Sequence, residues 1–96
     1  MTTINIFQKV GPFAENKDEA RKIRINEIVP KLEKGEDVIL NFKNIEAATQ
    51  SFIHALISDL IRKYGDDLLD KISFQSCNEN VKKIIMIVTD YMQESD

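Results

Sequence analysis

The chain is poor in the residues from which catalytic and metal centres are built. It has one cysteine, Cys77, so no internal disulfide can form, and a zinc site of several thiolates is excluded. Its one histidine, His54, adds little metal-ligating chemistry. The three glycines, Gly11, Gly35 and Gly65, are scattered and form no phosphate-binding loop. Charge of neither sign dominates. Thirteen basic residues stand against 16 acidic ones, a net charge of −3, which gives no general drive toward nucleic acid or an anionic membrane. The longest apolar run, Ile84 to Val88, is far too short to cross a bilayer. Met1 to Asn5 has neither the basic region nor the apolar core of a secretory segment. These absences point to a cytoplasmic protein with no cofactor, no metal and no membrane or nucleic-acid partner.

What is present suits one small folded unit spanning residues 1–96, with 43% apolar and 30% charged residues. Thr2 to Phe7 alternates polar and apolar residues, as a short strand does. Gly11-Pro12 marks a turn. Asn16 followed by Glu19 has capping-box spacing, so a helix starts near Lys17, with Ile25, Ile28, Val29 and Leu32 as its apolar stripe. Pro30 falls inside that stripe and predicts a bend or break near Ile28, and Gly35 ends the element. Basic residues gather at Lys17, Arg21, Lys22 and Arg24. With Asp18, Glu19 and Glu27 among them, they read as a solvated helix face.

Val38 to Phe42 reads as a central strand covered on at least one side. The next helix runs from about Gln50 to Tyr64 and closes at Gly65. Phe52, Leu56 and Leu60 lie along one edge, with Ile53, Ile57 and Ile61 alongside, a face broad enough to leave part for a partner. Ile72-Ser73-Phe74 is a further strand. Asn78 is a suitable cap for a last helix with Val81, Ile84, Ile85, Val88 and Met92 at helical spacing, followed by a polar tail from Gln93 to Asp96. The order β-α-β-α-β-α predicts an α/β fold, a small and largely parallel sheet with helices packed on it. The first strand is expected at an edge, with antiparallel pairing open to it.

Several spaced blocks resemble one family: Gly11-Pro12-Phe13, the Arg21-to-Leu32 helix, Lys34-Gly35-Glu36-Asp37-Val38, Val38 to Ile45, Thr49-Gln50-Ser51-Phe52, Tyr64-Gly65 and Asn78-Glu79-Asn80-Val81. Together they resemble the STAS-like family of unknown function, related to the STAS domains of anti-sigma-factor antagonists and sulfate transporters. In the antagonists an Asp-Ser-Ser-Gly motif follows the strand, and a partner kinase phosphorylates its second serine. Laid on this sequence, the aspartate falls at Thr49, the first serine at Gln50, the phosphorylated serine at Ser51 and the glycine at Phe52. Ser51 alone is kept. The resemblance implies a regulatory module that binds a protein of a bacterial signalling system, with a histidine-kinase-type ATPase acting as a serine kinase for its partner. The expected contact surface is Asn44, Glu46, Thr49, Gln50, Ser51 and His54.

The residues themselves give Ser51 two readings. It fills the first helical turn and bonds a nearby backbone group, or it accepts a phosphate that the helix dipole tolerates. Thr49 is the better cap. His54, three residues after Ser51, would need an orienting acid and an oxyanion hole to form a catalytic pair, and no nucleophile-elbow motif is present. Cys77 stands near a helix N-terminus, where a thiol pKa can fall, but it has no second cysteine and reads as a partly buried filler. Asp66, Asp67 and Asp70 lack the glycine and distal glutamate of a calcium loop. No catalytic residue is assigned. Two alternatives stand beside the regulatory module. One is a homodimeric assembly module joined through Ile53, Ile57 or Ile61, and the other is a small-ligand domain using the C-terminal ends of the strands.

Overall fold

The first strand, β1, stops at Asn5 because that residue turns to cap a helix. β1 spans Thr2–Asn5, and Asn5 Oδ1 accepts the Gln8 N–H at 3.2 Å to open α1, Ile6–Val10. The alternating pattern had carried the strand on to Phe7; the cap ends it earlier. The computed structural model describes the backbone of residues 1–94 and the side chains of residues 1–65 and 67–91. The expected stripe residue Met92 and the tail from Gln93 to Asp96 thus lie outside the described side chains.

After Gly11 comes β2, Phe13–Ala14. Asn16 then caps α2, Lys17–Ile23, its Oδ1 accepting the N–H groups of Asp18 and Glu19 at 2.8 and 3.3 Å. The bend expected from Pro30 is a π-helical turn over Arg24–Ile28, in which the Val29 N–H reaches back to the Arg24 carbonyl. The widened turn places Pro30 at the start of α3, Val29–Glu33, where its missing donor costs least. Gly35, at φ 80°, closes α3. Its N–H goes to the Leu32 carbonyl and that of Glu36 to Lys31, the paired bonds of a Schellman ending.

Next come β3, Val38–Asn41, and the two-residue β4, Ala47–Ala48. The long helix α4 covers Gln50–Tyr64, then Gly65–Asp67 form a short 3-10 turn and Leu68–Lys71 form α5. β5, Ile72–Gln75, and α6, Glu79–Glu94, complete the described chain. The main sheet has the order β1-β3-β5 and is parallel throughout. Antiparallel pairing of β1, left open by the sequence, does not occur. The intervening helices return the chain to the end of the sheet from which it began. β2 and β4 form a separate parallel pair, Phe13 opposite Ala47 and Ala14 opposite Ala48.

Register and burial divide the main sheet into two faces. Val38 and Ile72 sit in one row, Ile4, Leu40 and Phe74 in another, and both rows point into the core. Thr3, Ser73 and Gln75 on the opposite face are exposed. The helical layer covers the apolar face with Ile23, Ile28, Phe52, Leu56, Leu60, Val81 and Ile85. α4 packs against both α2 and α6. This consumes the broad apolar face read from its sequence. Ile53 and Ile57 are buried and Ile61 is half-buried, so a second copy could reach the first two only by unpacking the core. Among the described residues, no helix is long and apolar enough to cross a membrane.

Candidate functional site

The segment joining β3 to α4 is pinned from two directions. Asn41 Oδ1 accepts the Lys43 N–H at 2.9 Å, and Asn44 takes the left-handed conformation at φ 72°, which asparagine tolerates better than most residues. From one side, the Pro12 carbonyl accepts the Glu46 N–H at 2.7 Å and the Ala14 carbonyl accepts the Thr49 N–H at 3.0 Å. From the other, Asn78 Nδ2 donates to the carbonyls of Ile45 and Glu46 at 3.0 and 2.9 Å. Asn80 Oδ1 accepts the Ala48 N–H at 3.2 Å. Asn78 also caps α6, with its Oδ1 accepting the Val81 N–H at 2.9 Å. One side chain therefore starts the last helix and fixes the loop. The sequence pattern revealed only the first of these roles.

At the start of α4, Thr49 is extended, at φ −90° and ψ 158°, and its hydroxyl accepts the Phe52 N–H at 3.1 Å. Thr49 is the cap, and Phe52 is buried. Ser51 lies between them in the first turn, with its side chain exposed.

Gln50, Ser51 and His54 open onto a groove of about 770 Å³ running along the outer ridge of α4. Its far end is lined by Ser58, Asp59 and Arg62. One wall comes from α2 and the π turn and carries Lys17, Arg21 and Arg24; the other comes from α6 and carries Ile87, Val88 and Tyr91. Among the described residues, four cations line the groove against one carboxylate, Asp59. That carboxylate is already held by Arg24 at 3.2 Å and Arg62 at 2.9 Å. Lys17 and Arg21 are exposed and make no ion pair among the described residues. A locally positive groove has thus formed on a chain of net charge −3.

The structure brings Gln50, Ser51 and His54 together, and it separates them from Asn44 and Glu46, which sit exposed in the pinned loop. Thr49 is occupied as a cap. Lys17, Arg21 and Lys22 are exposed, as expected of a solvated face, and part of the cluster also borders the groove. Lys17, Arg21 and Arg24 stand at i, i+4 and i+7, so they share one helical stripe and meet the groove, whereas Lys22 pairs with Glu19 at 3.6 Å. That spacing was visible in the sequence, but the acids between these residues concealed it.

Other candidate groups lie elsewhere. Cys77 is half-buried, and burial raises its thiol pKa; Lys82 opposes the shift more weakly. The net direction is upward, not the lowering that a position near a helix N-terminus can bring. Asp67 and Asp70 are exposed in the 3-10 turn and α5, and the side chain of Asp66 lies outside the described residues. The groove runs over the helical layer, not at the C-terminal ends of the strands, where open α/β sheets place small ligands.

No curated protein and no solved structure matches the chain significantly. A family model described as a STAS-like domain of unknown function (DUF4325) matches residues 19–82. The match takes in the π turn, the central strand, the pinned junction with Ser51, all of α4 and the Asn78 clamp. On that span, the chain belongs to the family of STAS-like domains of unknown function.

Proposed function

We propose that the protein is a non-catalytic regulatory module that binds another protein at the start of α4, with Ser51 as the point of control. The setting is a cytoplasmic signalling system of a bacterium, and the partner is a histidine-kinase-type ATPase that also acts as a serine kinase. The observation that carries this reading is the exposed position of Ser51 in the first turn of α4, opening onto a groove that also holds Lys17 and Arg21.

A phosphate on Ser51 would meet the positive end of α4 and, on the groove wall, Lys17 and Arg21, which make no ion pair among the described residues, so the helix would tolerate it. In the transfer, Ser51 Oγ attacks the γ-phosphorus of ATP and ADP leaves. The hydroxyl proton passes to a base of the kinase. The added charge would then occupy the surface that the unmodified module offers to its partner.

Co-expression with such an ATPase tests the reading. Intact-mass spectrometry should give one added phosphate, assigned to Ser51 and lost in Ser51→Ala. A stable complex without modification, unaffected by Ser51→Asp, would remove the switch and leave binding alone.

A further inference from the structure

The groove along α4 is an open trough with two unlike walls. Its floor follows α4 from Ser51 to Arg62, about 16 Å at about 1.5 Å per residue, or roughly three helical turns. On one side stand Lys17 and Arg21, exposed and without an ion pair among the described residues. On the other, α6 offers Ile87 and Tyr91, 39% and 63% exposed. A small molecule seated here would lie between the two walls and stay open to solvent along the trough, whereas small-molecule sites enclose most of the ligand surface. A segment several turns long, with different chemistry on its two flanks, uses the whole trough.

We infer that the trough receives an amphipathic helix of the partner protein. Aspartate or glutamate on one flank meets Lys17 and Arg21, and apolar side chains on the other flank cover Ile87 and Tyr91. This is the helix-in-groove mode of recognition, with anchors at helical spacing. Charge selects the occupant. The chain carries a net charge of −3, which disfavours an acidic segment in general, whereas the cations of this wall attract one. The inference rests on the reading of the protein as an interaction module, and it adds the form and charge of what is bound.

Selection from a displayed library of helical peptides, with the wild-type chain as bait, tests it. Enriched sequences should converge on acidic residues along one flank and apolar residues along the other. A synthetic peptide of the winning sequence should shift the amide resonances of Lys17, Arg21, Ser58 and Tyr91. Lys17→Glu/Arg21→Glu should keep the native circular dichroism spectrum and weaken that peptide about tenfold, as expected for reversing two exposed charge contacts. Enriched peptides without an acidic flank, shifts outside the trough, or unchanged affinity in the double variant would overturn the inference. So would a failure to enrich any peptide while inorganic phosphate shifts Lys17 and Arg21, because that would make the site one for small anions. Failure of Ser51 to take up phosphate would leave these results untouched. Conversely, a copurified partner that still binds the double variant would preserve the interaction module and remove the trough from it.

Discussion

The guanidinium of Arg24 donates a 2.6 Å hydrogen bond to the backbone carbonyl of Ala55, joining the π turn to the middle of α4. Its other nitrogen lies 3.2 Å from Asp59, one turn further on, and the side chain is only 13% exposed. Two helices are thus held in register by one planar fork, which also sets one wall of the groove against its floor. π turns recur at functional sites because they re-aim the residues they contain. Here the turn begins at the residue that makes the clamp.

Arg24→Ala should therefore cost about 2 kcal/mol, the range for losing charge-assisted bonds at a partly buried site. Arg24→Lys should recover less than half of this, because an ammonium cannot reproduce the two-pronged geometry. Urea unfolding of the three proteins checks both expectations.

Asn78 makes a sharper test, because its two ends do different things. Asn78→Asp keeps the oxygen that caps α6 but replaces the amide that donates to the Ile45 and Glu46 carbonyls. The last helix should survive while the loop loosens, so the Ala48 and Thr49 amides should exchange with solvent faster and those inside α6 should not. Asn78→Ala should lose both functions and about 2 kcal/mol, a cap plus two hydrogen bonds weighed against water. Hydrogen exchange followed by NMR separates the two variants.

Ile57 distinguishes a core face from an assembly face. At 1% exposure it belongs to the core, so Ile57→Glu should bury an unpaired carboxylate and cost about 4 kcal/mol or more. The variant should unfold or precipitate. A dimeric wild-type chain that Ile57→Glu dissociates without unfolding would instead place Ile57 at the surface of a dimer.

Cys77 gives a pH-dependent prediction with a definite sign. Burial raises its pKa in the folded chain, so the folded state holds the thiol proton more tightly than the unfolded state. Its contribution to stability is complete below the unfolded thiol pKa and is lost as pH rises through the folded value. Alkylation by iodoacetamide near pH 8 should be slower in the native protein than in urea. Lys82→Ala should slow it further, because the lysine is the charge that opposes the shift.

The elements that carry strong periodicity are legible in the sequence alone. The caps at Asn16 and Thr49, the strand at Val38, the ends at Gly35 and Gly65 and the disturbance caused by Pro30 all follow from local chemistry. β2 and β4 were not legible, because two-residue strands leave no pattern and exist here through pairing with each other. α1 was hidden because Ile6 continues the alternation begun at Ile4, and a helix of five residues is too short for its own period to show. At the site, Gln50, Ser51 and His54 were found together, but the cationic wall was missed. Which side of α2 faces α4 is a tertiary fact, and the acids between Lys17 and Arg24 made the stripe look neutral. Ile87 and Tyr91 were missed for the same reason, since their neighbour Val88 is core.

The central claim is that the start of α4 is a regulated contact surface with Ser51 as its control. The dissociation constant of the partner copurified from the native cell, measured for the wild-type chain and for Ser51→Asp, tests it most directly. The account predicts a loss of about tenfold or more, corresponding to roughly 1.4 kcal/mol, with the fold unchanged by circular dichroism. Equal affinity of the two proteins for that partner would contradict it.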